Sequence, residues 1–149
     1  MRAVIQRVRA ARLEVSGEVI ADIGLGLVAF VGFAAGDREQ DARYVADKLV
    51  GLRVFEDDAG KMNRAVTEVD GAVLLVSQFT VYGDVRRGRR PSFDQAMAPA
   101  EAERAYQRFV ELVRERLENV ATGRFQAHMR VVVDNDGPVT ILVDSSKLL

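Results

Sequence analysis

Residues Val73, Leu74, Leu75 and Val76 form an unbroken apolar run, too short for a helix that stands alone and half β-branched. Such a run predicts a strand covered on both faces, and therefore a central place in a sheet. It gives way at once to Ser77-Gln78-Phe79-Thr80 and then to Val81-Tyr82-Gly83. A buried strand ending in small hydroxyl and amide side chains brings polar groups and unpaired backbone N–H donors to the sheet's carboxyl edge. Ligands of α/β proteins commonly bind at such an edge. Ser77 and Thr80 can equally do no more than satisfy a strand end, and the stretch by itself slightly favours that plainer reading.

The rest of the chain supplies partners for this strand. Arg2–Val8 alternates, with Ala3, Ile5 and Arg7 on one side and Val4, Gln6 and Val8 on the other. Ala11–Val15 repeats the strand signal, Ser16-Gly17-Glu18 reads as a turn, and Val19–Ile23 follows as a strand. After Gly24 and Gly26 comes a second continuous apolar strand, Leu27–Val31, so the opening reads as an antiparallel meander feeding a buried strand.

Asp37 is placed to cap a helix, with Gln40 completing a capping box. Ala42, Val45, Ala46 and Leu49 then make one apolar stripe that ends at Gly51. Arg53–Phe55 reads as a short strand, residues 56–61 as a turn, and Met62–Val69 fits no single pattern. Pro99 suits the first position of a second helix reaching about Leu117, its stripe formed by Ala102, Tyr106, Phe109, Val113 and Leu117. Arg130–Val133 and Val139–Val143 are predicted as strands on either side of a turn at Asp134–Pro138. The order of elements predicts one domain over 1–149, of the α/β class in its α+β form. In it a mixed sheet or partial barrel carries two packed helices.

Composition narrows the chemistry. At 149 residues the chain can bury a core without staples, and the absence of Cys excludes disulfides, thiolate nucleophiles and Cys-based zinc sites. A single His128 argues against His-rich metal sites and leaves a Ser-His-Asp triad possible only through that residue. No metal and no cofactor are expected. The opening M-R-A-V-I-Q-R-V has no apolar core of a signal peptide, and no run approaches a membrane span. The expectation is a soluble cytoplasmic protein with no membrane partner.

A net charge of −1 gives no bulk attraction to nucleic acid, so an RNA partner would need a local basic patch and DNA is not expected. Arg86, Arg87, Arg89 and Arg90 surround Gly88 and provide one. Fork-shaped guanidinium groups suit phosphate oxygens, and a solvated loop is the plainer alternative. Asn135-Asp136-Gly137-Pro138 is a turn by composition. Its Gly-Pro bond is also the one kind at which a cis peptide is cheap, and both isomers stay open. Asp134, Asp136 and Asp144 receive no catalytic role, and His128 reads as a half-buried or surface histidine. Thr80 lies mid-chain without a free amine beside it, which excludes a nucleophile of the N-terminal type.

Four segments in order, S-Q-F-T at 77–80, R-G-R-R-P-S-F at 87–93, G-R-F at 123–125 and N-D-G-P-V-T at 135–140, resemble the D-aminoacyl-tRNA deacylase family. The resemblance runs from M-R-A-V-I-Q-R-V through G-K-M-N at 60–63 to the final strand. It implies an editing hydrolase, a homodimer with active sites at the subunit interface, acting at the 3′ end of D-aminoacyl-tRNA. Ser77, Gln78, Phe79 and Thr80 match the motif that floors the aminoacyl pocket. The segment containing Asn135, Gly137 and Pro138 matches the family's chirality-selecting loop, whose cis Gly-Pro reaches into the other subunit and rejects L-amino acids. Phe125 and Met129 fall where the family lines the pocket, and Arg7 where it braces that loop. The tRNA 2′-hydroxyl assists the water in the family, so Thr80 is expected to bond or line the pocket rather than attack. Arg86, Arg87, Arg89 and Arg90 would then meet tRNA phosphates. Val81, Tyr82 and Gly83 depart from the family pattern, which touches loop shape. Two other classes fit parts of the sequence. A non-catalytic RNA-binding module would use the arginine loop alone, and a small-molecule amidase or esterase would use Thr80 covalently.

Overall fold

The computed structural model describes residues 1–149. The apolar run lies in strand β6, Ala72–Ser77, which sits between β3 (Gly26–Gly32) and β7 (Val120–Thr122) and is parallel to both. Its alternation feeds two separate cores. Val73 and Leu75 join the large one with Phe109, Leu112 and Val113, while Leu74 and Val76 join the smaller one with Val8, Leu13 and Val28. That division is why no polar residue interrupts the run. Truncating either Leu to Ala in such a place costs about 2–5 kcal/mol.

Strand β1 (Arg2–Val15) is the spine of the sheet. Its first half pairs antiparallel with β3, its second half with β2 (Glu18–Ile23), and β8 (Met129–Asp144) pairs with it along nearly its whole length. The result is a mixed sheet forming a nearly closed barrel, with two helices packed on it. The expected meander is corrected: β2 and β3 each pair with β1 and not with one another, because β1 is long enough to hold a different neighbour at each end. The expected turn at Asp134–Pro138 is corrected too. The chain does not reverse there. Asn135 pairs with Val8 and Thr140 with Gln6, so Asp136–Val139 bulges out opposite the single residue Arg7.

Helix α1 (Glu39–Gly51) buries Ala42, Val45, Ala46 and Leu49 as the stripe predicts. Its cap is Arg38 and not Asp37, with the Asp41 carboxylate accepting the Arg38 N–H at 2.8 Å. Asp37 is drawn away by a stronger partner. Its carboxylate accepts the Ala34 N–H at 2.7 Å and lies 2.8 Å from the buried Met1 ammonium. A hairpin of β4 (Phe55–Glu56) and β5 (Met62–Arg64) stands apart from the main sheet. Helix α2 starts at Pro99 and runs to Arg114, burying Tyr106, Phe109 and Val113. No helix is long and apolar enough to cross a membrane.

Candidate active site

At the carboxyl end of β6 the chain tightens into a 3₁₀ turn, Phe79–Tyr82. Its first closed ring runs from the Val81 N–H to the Gln78 carbonyl, and the next loop closes from the Gly83 N–H to the Thr80 carbonyl. The Phe79 and Thr80 N–H groups precede that first ring, so the turn's own rings do not take them up. Gly32 on β3 makes the turn possible. A Cβ there would stand 2.4 Å from Val81 Cγ2 and 2.7 Å from the Gln78 carbonyl oxygen.

Beside the turn opens a cleft of about 620 Å³, lined by 15 residues of which 10 are hydrophobic. Ser77, Gln78 and Phe79 line it together with Phe125 and Met129. Phe79 is exposed at the rim and meets Phe93 edge-on, the ring centroids 4.9 Å apart. Phe125 is held from behind. Tyr106 packs on it at 6.0 Å, and the Tyr106 hydroxyl donates at 2.9 Å to the Leu75 carbonyl that also accepts the Gly123 N–H. Burial pushes the Tyr106 phenol up to about 12, so it stays a donor. Thr80 is exposed, and its Oγ1 accepts a hydrogen bond from Gln78 Nε2. The lining contains no carboxylate, and His128 is its only titratable side chain.

The structure therefore gathers Ser77, Gln78, Phe79, Phe125 and Met129 in one place. Thr80 follows Phe79 without lining the cleft, and Arg7, Asn135, Gly137 and Pro138 lie outside that cleft. Arg7, 6% exposed, donates from Nη1 to the Val54 carbonyl at 2.6 Å, and its Nε lies 3.3 Å from the Asp136 carboxylate. Asn135 Nδ2 donates to the Arg7 carbonyl at 2.9 Å and to the Val139 carbonyl at 3.0 Å, which ties off the bulge. Gly137 and Pro138 are exposed at its tip, joined by a cis peptide, and Gly137 has φ of +119°, where a side chain is disfavoured. Arg7 and Gly137 line a second, shallower cleft with Leu25 and Phe55.

The four arginines are not equivalent. Arg86 is clamped by Asp84 through both carboxylate oxygens, at 2.6 to 3.1 Å, and this pairing holds the Asp84 carboxyl down at about 2. Arg87, Arg89 and Arg90 are exposed and form no ion pair. The loop closes through backbone bonds between Asp84 and Ser92.

Sequence reasoning missed part of the lining. Phe93, Met97, Gln126 and His128 all face the cleft. Phe93 had a signal, because it ends the R-R-P-S-F segment. Ala96–Pro99 had none, being brought in by the Met97 N–H to the Phe33 carbonyl, a contact distant in sequence.

Fold and cleft together define a single-domain barrel with an apolar pocket at the carboxyl ends of parallel strands. A family model described as D-Tyr-tRNA(Tyr) deacylase matches residues 4–144. The D-aminoacyl-tRNA deacylase of Sorangium cellulosum is 62% identical over 148 residues, covering 99% of each chain. That of Symbiobacterium thermophilum is 59% identical over 147 residues, covering 99% of this chain and 97% of its own. A solved structure of the c-Myc DNA Unwinding Element Binding Protein superposes with a TM-score of 0.92 at 39% identity, covering 97% of this chain and 98% of that one. A structure titled as a probable eukaryotic D-amino acid tRNA deacylase shares the fold, with a TM-score of 0.82 at 20% identity over 96% of this chain and 98% of that one. The chain belongs to the D-Tyr-tRNA(Tyr) deacylase family. It is accordingly an enzyme, a hydrolase of the aminoacyl-tRNA ester bond.

Proposed function

We propose that the cleft beside Ser77–Thr80 hydrolyses the ester between a D-amino acid and the 3′-terminal adenosine of tRNA, and that it accepts glycyl-tRNA as well. The observation that carries this reading is an apolar, carboxylate-free pocket lined by Phe79 at the start of a turn whose own rings leave the Phe79 and Thr80 N–H groups unused. An aminoacyl ester is already reactive, so a protein base is dispensable when the neighbouring ribose 2′-hydroxyl orients the water. Water oxygen bonds to the ester carbon, the carbonyl oxygen becomes an oxyanion facing the two N–H groups, and the bond to the ribose oxygen then breaks. The leaving ribose oxygen takes a proton, and free amino acid and tRNA result. One such donor is worth on the order of 10²–10³ in rate.

Gly137 and Pro138 are assigned to chiral selection in the pocket of a second copy, in a homodimer. Two observations support this: they are exposed, and they lie outside their own chain's cleft. Asn135 and Arg7 shape that loop, while Phe125 and Met129 line the aminoacyl pocket. Arg87, Arg89 and Arg90, with a smaller part for Arg86, meet tRNA phosphates. The enzyme works in the cytoplasm, where its substrate is made.

A deacylation assay tests the reading. Release of amino acid from D-aminoacyl-tRNA, with free D-amino-acid methyl esters turned over at least a hundredfold more slowly, is the expected result. Binding of tRNA without release would make the chain an RNA-binding module. Equal turnover of the free ester would make it a small-molecule esterase.

A further inference from the structure

The turn that presents the Phe79 and Thr80 donors is short, with no side-chain cap at Gln78 and a backbone bond from the Gly83 N–H to the Thr80 carbonyl at its end. A contact from outside can add to the bonds that close it. One side chain reaches it from across the sheet. Arg2, the first residue of β1, donates from Nη1 to the Val81 carbonyl at 3.4 Å and lays its guanidinium over the Tyr82 ring, 4.6 Å from the centroid. The same guanidinium is anchored at its other edge, where Nε donates to Asp144 Oδ2 at 2.9 Å.

The anchor is firm. The Asp144 side chain is 1% exposed and its other oxygen accepts the Ser146 N–H at 2.7 Å. The backbone carrying Arg2 is pinned by the buried Met1 ammonium, which donates to Ser145 Oγ at 2.8 Å and pairs with Asp37. Tyr82 is itself buried, so the ring cannot swing away from the cation. A fork-shaped cation that bridges a buried carboxylate, a carbonyl and an aromatic face fixes geometry better than any one contact would.

We infer that Arg2 is a positioning residue for the reaction proposed above, holding the Phe79–Tyr82 turn so that the Phe79 and Thr80 N–H groups point at the developing oxyanion. Arg2 touches neither substrate nor reacting atoms; it acts through Val81 and Tyr82. This inference rests on the deacylase reading of the cleft. A misplacement of about 1 Å in catalytic groups costs on the order of 10²-fold, and partial loosening of the turn falls below that.

Arg2→Met keeps the apolar stem and removes the fork. The expected result is a turnover rate on D-aminoacyl-tRNA reduced about tenfold, with KM and tRNA affinity within twofold and circular dichroism unchanged. Arg2→Lys keeps a cation for Asp144 without the second N–H, and its rate should fall about threefold, between the other two. Amide hydrogen exchange at Val81 and Gly83 should quicken at least fivefold in Arg2→Met, while helix α1 amides stay as they were. A rate within twofold of the parent in either variant would overturn the inference. So would a loss expressed in KM, or exchange that quickens throughout the chain. If Arg2→Met does not fold, the Arg2→Lys rate decides. An inactive parent would sink the deacylase reading instead, and the exchange result would still show whether Arg2 holds the turn.

Discussion

At Thr80 a hydroxyl sits next to an ester-sized cleft, and a covalent mechanism through it is the natural rival. The surroundings argue against it. Oγ1 already accepts from Gln78 Nε2, and no carboxylate lines the cleft to take its proton. His128, the only titratable lining residue, is exposed and has no carboxylate partner to orient it, so the relay that activates a hydroxyl nucleophile is incomplete. Thr80→Ala is therefore expected to retain turnover within about fivefold of the parent, measured under single-turnover conditions. A drop on the scale of a missing nucleophile, on the order of 10⁴ or more, with an acyl-enzyme trapped by mass spectrometry in the parent, would reverse that assignment. Gly32 bears on the same turn. Its missing side chain is what lets Val81 and the Gln78 carbonyl approach β3, so a strand glycine far from the motif shapes the motif's turn.

Among the elements, the loop between Asp84 and Ser92 shows how little a cluster of like residues says about their work. Arg86 has its charge met by Asp84, whereas Arg87, Arg89 and Arg90 face solvent unpaired. Changing Arg87 and Arg89 to Gln should weaken tRNA binding and flatten the slope of log K against log salt, by about 0.7–0.9 for each phosphate left without its arginine. Arg86→Gln should change the slope by less than half of one such step. Filter binding across a salt series measures both, and an unaltered slope in the double variant would return the loop to a merely solvated one. The central strand, both helical stripes and the Pro99 start were legible because burial dictates each from local pattern. The continuity of β8 was not, because Asp134-Asn135-Asp136-Gly137-Pro138 has the composition of a reversal and only the long ladder with β1 carries the chain straight through it. Strand β7 escaped for the opposite reason. Its three residues show no alternation and owe their conformation to β6. Asp37 looked like a cap in sequence, and an ion pair with Met1 overrode that local role.

In the whole molecule, the proposed site is divided between two places that one chain does not bring together. The pocket lies beside Ser77–Phe79, and Gly137 of the tip lies with Arg7 and Leu25 at a different cleft. On the proposed reading a second copy, its tip seated in the first copy's pocket, would complete both. The tip suits that task. Gly137 offers no side chain, so backbone can come close to the substrate's α-carbon. Arg7 and Asn135 hold the bulge from beneath through the Val54, Arg7 and Val139 carbonyls, which keeps the wall from yielding. An L-residue would direct its side chain into that wall and be refused, a D-residue would direct it away, and glycine has nothing to refuse. Hydrolysis of D-aminoacyl- and glycyl-tRNA at rates within about tenfold of each other is expected, with L-aminoacyl-tRNA at least 10³-fold slower. Because the wall belongs to the other copy on the proposed reading, selectivity should collapse on dilution below the dimer's dissociation constant, tracked by analytical ultracentrifugation alongside the L/D rate ratio. Rapid release from L-aminoacyl-tRNA by the dimer, or complete sparing of glycyl-tRNA, would rule out steric exclusion. A monomer that keeps full selectivity would place the filter inside one chain, contrary to the separation of the two clefts.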